Sequence, residues 1–406
     1  MTDLQSASEA RMVQAADVFK AGRRAAQLRR TARGTEFSYL PEFAEDGMAI
    51  ATTLPISADS LIYQAGAVPA FFAGMLPEGR RLTALRRLVK TSADDELSLL
   101  LAVGRDVVGD VQVVPEGEIP IEAEALVTVE SSFSEVRFAD VLTDAGVVDR
   151  SGIPGVQEKA SARMISVPVA QAASRYILKV DPPEYEHVVE NEHYFLTIAR
   201  SAGIPTTEAD LVTDAEGRRG LLVRRFDRVG DAAGTTHSRA CEDACQLMNL
   251  WPADKYNVSS ERLVASVAQV CAASPVAVRD VYRQLCFAWL TGNGDVHSKN
   301  ISVLATPEGE WRVAPAYDLP STLPYGDLTL ALPIQGSLDG LSRRTMLDFA
   351  NEIGLTPRAA ATTLDDMLDA TATVASDLSN GVIPFGQQVV STWIKRLEYR
   401  RRQFKD

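Results

Sequence analysis

Cysteine is scarce: Cys241, Cys245, Cys271 and Cys286 are the four in 406 residues. So few thiols build no disulfide framework and point to a reducing compartment. Cys241 and Cys245 lie close together with His237 near, but a zinc site asks for a fourth ligand, so the spacing predicts two buried cysteines on one helix face. No apolar run reaches the ~18 residues of a membrane span, and no signal-peptide pattern is visible, which predicts a cytoplasmic protein. Positive charge is in deficit. The net charge of −13 argues against a molecule that binds nucleic acid over its whole surface. Internal repeats and low-complexity segments are absent too.

What the chain does have is an ordinary globular composition, 46% hydrophobic and 23% charged, over a length that suits two or three lobes. Residues 15–19 and 36–40 read as strands of an antiparallel meander. Lys20, Arg23, Arg24, Arg29, Arg30 and Arg33 fall between them. Such a cluster is more often one solvated sheet face than a nucleic-acid contact, and the sheet face is expected here. Residues 69–79 predict a short apolar helix ended by Pro77 and Gly79. Helical spacing follows at Leu82, Leu85 and Leu88, and again over 97–101. Residues 110–114 predict another strand. The Pro- and Glu-rich stretch from 115 to about 124 reads as a linker. Three units are therefore expected: an α/β unit over 1–115, a second over 125–235 and a mostly helical third over 236–406.

The second unit opens on a glycine-bearing turn at 151–159, where Gly155 would let backbone N–H groups approach phosphate oxygens; an ordinary hairpin turn has the same composition. Residues 176–180 predict a strand with Lys179 amid apolar neighbours, either a phosphate-binding lysine or an edge residue reaching to water. A helix over 188–202 contains Glu192, a candidate partner for that lysine. Residues 208–213 and 220–226 predict a hairpin. Beyond about 238 the pattern turns helical. Helices are expected over 275–291, 342–353, 356–378 and 384–403, with Thr356 as N-cap and Pro357 at the first helical position.

The helix over 275–291 runs into Gly292, Asn293, Gly294 and Asp295, with Asn300 five residues after Asp295 and a separate Asp318 behind the strand-like 311–313. Transfer of a phosphoryl group to a hydroxyl needs these parts: a carboxylate that accepts the hydroxyl proton, and an amide oxygen plus a second carboxylate for Mg²⁺. Taken alone, the loop equally describes a polar surface turn. The order of parts decides between them. Glycine turn, lysine strand, glutamate helix, hairpin, Asp–Asn pair and final Asp follow one another as they do in kinases.

At this point the motifs carry a resemblance. Leu76-Pro77-Glu78-Gly79, Gly104-Arg105-Asp106, Gln157-Glu158-Lys159, Ile177-Leu178-Lys179, Asn191-Glu192, Arg225-Phe226-Asp227-Arg228, Glu242-Asp243, Cys245-Gln246, Asp295-x-His297-x-Lys299-Asn300 and Tyr317-Asp318 together resemble the HipA family, the serine/threonine-kinase toxins of bacterial HipBA toxin–antitoxin modules. The resemblance implies an α+β, protein-kinase-like HipA fold, with an α/β N-terminal part and an all-helical C-terminal part. It implies ATP and Mg²⁺ as cofactors, Asp295 as proton acceptor, Asn300 and Asp318 as metal ligands, and Lys179 on the ATP phosphates. Pro154, Gly155, Val156, Gln157, Glu158, Lys159, Arg224, Arg225, Phe226, His297, Ser298, Lys299, Asn300, Tyr317 and Asp318 would line the nucleotide site. The implied partners are a HipB-like helix-turn-helix antitoxin, DNA only through that antitoxin, and an aminoacyl-tRNA synthetase as protein substrate. Two departures stand out. Arg224 occupies a hinge position where relatives can carry Glu. Gly152 stands where the family's autophosphorylated serine would be, with Ser151 one place off. A non-catalytic subunit that binds an antitoxin and a small-molecule phosphotransferase are the alternative readings.

Overall fold

Three consecutive antiparallel strands joined by tight turns, β1 (Ala15–Lys20), β2 (Arg23–Thr31) and β3 (Gly34–Tyr39), open the fold, with β1 buried along its whole length. With β4 (Leu61–Tyr63) and β5 (Val111–Pro115) they form a five-stranded sheet in the order β4-β3-β2-β1-β5. Phe37, Phe71, Phe72, Leu99 and Leu100 fill its core, beneath the helices Gly79–Val89 and Glu96–Val103. The expected apolar helix over 69–79 is a single turn, Ala70–Ala73, because Gly74 and Pro77 stop it early. The basic cluster is largely neutralised. Arg24 meets Asp17 at 2.6 Å, Arg30 meets Asp95 at 2.8 Å and Arg29 meets Glu116 at 3.0 Å, while Arg23 pairs with Asp46. Lys20 departs from the solvated-face expectation: it is buried and held by Asp110 at 2.7 Å.

The structure is a computed structural model, and it describes residues 9–120, 132–144, 165–171, 174–230 and 236–405. The turn expected at 151–159, with Ser151, Gly152 and the candidate residues Pro154, Gly155, Val156, Gln157, Glu158 and Lys159, lies outside the described residues.

A second antiparallel sheet contains β6 (Ile165–Gln171), β7 (Ser174–Val180), β8 (Ala209–Thr213) and β9 (Arg219–Arg224), in the order β6-β7-β9-β8. Its two faces are used differently. Leu178 and Val180 point into a small core with Phe133, Phe138 and Val141. The alternate residues of β7 face the helix Val188–Ser201, whose Val188, Val189, Phe195 and Leu196 belong to the large C-terminal core. A short pair, β10 (Arg228–Gly230) and β11 (Thr236–Ser238), follows.

The C-terminal part is not all helical. β12 (Cys241–Asp243), β13 (Ser302–Ala305) and β14 (Trp311–Val313) form a three-stranded sheet against the helices. Helices Ser260–Val270, Ser274–Thr291, Arg343–Glu352, Pro357–Ala370, Val374–Ser379 and Gln387–Lys405 pack around Trp289, Phe349 and Trp393. The helix expected over 356–378 is two, broken after Ala370, although its start is as expected: the Thr356 side chain caps the Ala359 N–H and Pro357 opens the helix. Cys241 and Cys245 are both buried, but on a strand and in the short helix Ala244–Leu247, not on one helix face. Among the described residues no three His, Cys, Asp or Glu side chains gather as metal ligands, and no helix is long and apolar enough to cross a membrane.

Candidate active site

The two-residue period of β7 turns Lys179 away from Leu178 and Val180 and toward the Val188–Ser201 helix. Its Nζ donates to Glu192 Oε1 at 2.7 Å, to Glu192 Oε2 at 2.9 Å and to Asp318 Oδ1 at 3.2 Å. Burial alone would discourage an ammonium here. Asp318 and Glu192 outweigh it and hold Lys179 charged, above its ordinary range. Glu192 is fully buried, and its helix is capped at its start by Asp181, which accepts the His187 and Val189 N–H groups at 2.8 and 2.9 Å.

The Ser274–Thr291 helix delivers the second half of the site. It ends on Gly292 at φ +73, a left-handed C-cap where a Cβ would sit 2.3 Å from Leu323 Cδ1. At Gly294 a Cβ would lie 2.3 Å from the Thr329 carbonyl oxygen. These close approaches bury the loop, so the polar-surface-turn reading fails: Asn293, Asp295, His297, Ser298 and Asn300 are all buried. Asn293 ties the two halves together. Its Oδ1 accepts the Asp295 N–H at 2.9 Å and its Nδ2 donates to the Asp318 carbonyl at 3.3 Å. That second bond helps hold Asp318 at φ +59, a left-handed conformation Asp tolerates better than most residues.

Asn300 Nδ2 donates to Asp318 Oδ2 at 3.0 Å, and Asn300 Oδ1 accepts the His297 N–H at 3.1 Å. An amide oxygen keeps a second lone pair. Here the amide nitrogen faces Asp318 and the oxygen faces the His297 N–H; an amide oxygen and a carboxylate are hard oxygen donors of the kind Mg²⁺ accepts. Asp295 Oδ1 accepts from the Tyr256 hydroxyl at 2.9 Å. Burial and the Asp295 charge raise the Tyr256 pKa, so that phenol stays a donor.

The remaining candidates are placed in three ways. Tyr317 donates to the Lys299 carbonyl at 2.7 Å, and the Phe226 ring lies 5.7 Å from the Tyr317 ring, so an aromatic wall joins hinge to loop. The His297 ring meets Tyr256 edge-on at 5.0 Å. Four other side chains are engaged by the protein itself: Arg224 with Glu208 at 2.8 Å, Arg225 with Asp227 at 2.8 Å and Asp106 at 2.6 Å, Ser298 with the Lys255 carbonyl at 3.0 Å, and Lys299 with Asp243 at 2.7 Å. Sequence reasoning missed Tyr256 and Asn293. Asn293 sat in the loop's own motif. Tyr256, 39 residues before Asp295, gave no signal. Glu78, Asp106, Asp227 and Asp243 were visible as motif residues, without roles.

Residues 151–375 match the family model of the HipA-like C-terminal domain, and residues 16–114 match that of the HipA N-terminal domain. Putative kinase Y4mE of Sinorhizobium fredii is 29% identical over 76% of this chain and 79% of its own length. The serine/threonine-protein kinase toxin HipA of Shewanella oneidensis is 27% identical over 74% of this chain and 73% of its own. The fold matches HipA solved in the Shewanella oneidensis complex of HipA, HipB and operator DNA, with a TM-score of 0.76 over 96% of this chain and 97% of that one, at 20% identity. With the C-terminal model covering more than half of its length, and the N-terminal model most of the rest up to Val114, this chain belongs to the HipA family.

Proposed function

We propose that the protein is a Mg²⁺/ATP-dependent serine/threonine protein kinase, the toxin of a type II toxin–antitoxin pair. The observation that carries this reading is Lys179 held between Glu192 and Asp318, with Asn300 on the other Asp318 oxygen. In this reading Lys179 draws the ATP phosphates to a fixed cation. Asp295 takes the proton of the acceptor hydroxyl as its oxygen bonds to the γ-phosphorus and ADP leaves. Asn300 and Asp318 would hold Mg²⁺, which when bound neutralises charge on the phosphates. Backbone groups near Phe226, and residues 154–159, would receive the rest of the nucleotide. The acceptor is expected to be a protein, an aminoacyl-tRNA synthetase on family grounds, whose phosphorylation would arrest translation and growth in the cytoplasm. The restraining partner is expected to be a HipB-like helix-turn-helix protein, through which the chain would reach DNA. Without a hydroxyl at Gly152, the antitoxin would carry this restraint alone.

Asp295→Ala tests the reading. It should lower phosphoryl transfer by ~10²–10⁴ and abolish growth inhibition while the thermal melt stays cooperative. Full activity in a well-folded variant would overturn it. Phosphoproteomics of cells expressing the wild type against Asp295→Ala would identify the acceptor protein.

A further inference from the structure

The N-terminal sheet unit reaches the loop that carries Asp295 and Asn300 in two ways, through the Gly74 carbonyl and through the carboxylate of Glu78. Glu78 stands at the start of the Gly79–Val89 helix. Its Oε2 pairs with Lys255, and its Oε1 lies 4.0 Å from Lys299 Nζ. Each lysine leads to a different active group. Lys299 directly precedes Asn300, and it is pinned further by Asp243 at 2.7 Å and by the Gly74 carbonyl of the N-terminal unit at 2.8 Å. Lys255 directly precedes Tyr256, whose hydroxyl donates to Asp295 at 2.9 Å. The Lys255 carbonyl also accepts from Ser298, through the backbone N–H at 3.3 Å and the hydroxyl at 3.0 Å. Glu78 thus pairs directly with one flank of the loop, through Lys255 and Tyr256 to the proton acceptor, and lies close to the other at Lys299, the residue next to Asn300.

We infer that Glu78 is a positioning residue: the N-terminal unit, acting through it, sets the geometry of the catalytic loop and is part of the working enzyme. This deepens the kinase reading and rests on it. Side chains that hold a site act on rate more than on binding, because a displacement of about 1 Å can cost ~10²-fold. The partners also explain why the charge is needed. Lys255 and Lys299 are nearly buried, with 12% and 13% of their side chains exposed, while Glu78, at 33%, is open enough that its loss need not unfold the protein.

The test uses the full chain with Glu78→Gln, which keeps size and removes charge. The expected result is a fall in kcat of ~10–100-fold with KM for ATP within about 2-fold, and faster amide hydrogen exchange across residues 295–300. Lys255→Met should give the same pattern, and Lys255→Arg, which keeps the pair, should restore most of the rate. Wild-type kcat in Glu78→Gln, or a loss confined to KM, would overturn the inference. If the wild type itself transfers no phosphate, the kinase reading is what fails. Hydrogen exchange still decides the positioning role in that case: faster exchange in Glu78→Gln supports it and unchanged protection removes it.

Discussion

Lys179 and Lys299 are both nearly buried lysines set between two carboxylates, yet they are built for different ends. Lys179 faces Glu192 and Asp318; Lys299 faces Asp243 and Glu78. In both, burial opposes the charge and the carboxylates more than restore it. The difference lies in the third contact. Lys299 closes its shell on the Gly74 carbonyl, a backbone group that cannot be exchanged. Lys179 has Asp318 as its more distant partner at 3.2 Å, on a side chain that is 24% exposed and that Asn300 also engages. One lysine is finished by the fold; the other keeps a partner that a ligand can share. A buried ion pair is therefore not a site by itself, and the exchangeable contact is what distinguishes one.

The largest break in this comparison is Lys299→Met. It strands Asp243 as a buried charge and should destabilise the fold by ~3–5 kcal/mol, read from urea denaturation, with Mg²⁺·ATP affinity little changed in the protein that remains folded. Lys179→Met should do the reverse where it matters. Calorimetry should show weakened Mg²⁺·ATP binding, and phosphoryl transfer should fall ~10²–10³-fold for loss of a cation on the transferring group. Equal loss of nucleotide affinity in both variants would erase the distinction drawn between them. Gly294→Ala comes next. The added methyl meets the Thr329 carbonyl at 2.3 Å, so the loop must shift, at about 1–3 kcal/mol of stability and with slower transfer.

The smallest effect sharpens the comparison with a carboxylate held by backbone N–H groups instead of an ammonium. Burial pushes Asp181 up to about 6 from its ordinary 3.8, against the pull of the Val189 and His187 N–H groups. Between these values the folded chain binds a proton that the unfolded chain releases, so stability falls as pH rises through that window. Asp181→Asn cannot charge. The Tm of the wild type should drop relative to Asp181→Asn between about pH 4 and 6, and a difference independent of pH would remove the burial argument.

Much of the site was legible because its parts are local. Lys179 on a strand, Glu192 on the next helix and the Asp295–Asn300 spacing each follow from short patterns, and their order suggested the pairing later seen at 2.7 Å. The illegible parts are those with no local signature. Tyr256 lies in a short irregular stretch and resembles any partly buried aromatic until the fold lays it on Asp295. Lys299 read as a nucleotide ligand because its motif is local, whereas its partners are far away. The expectation of one helix across 356–378 failed because Thr371 and Thr373 look unremarkable in a periodic window, although the Thr371 hydroxyl turns back onto the Met367 carbonyl at 2.7 Å where the helix ends.

By itself, then, the sequence determined the kinds and order of the parts: the capped helix starts, the glycines at 292 and 294, and a lysine, a glutamate and two aspartates in the succession that phosphoryl transfer uses. Only the tertiary structure decided which carboxylate holds which lysine. Asp318 reaches Lys179 across 139 residues, and the Gly74 carbonyl reaches Lys299 across 225. The physical reason is range. Caps and turns are set by backbone conformation within a few residues, whereas an ion pair depends on where two distant segments are brought when the apolar cores close, and charge alone does not choose its partner.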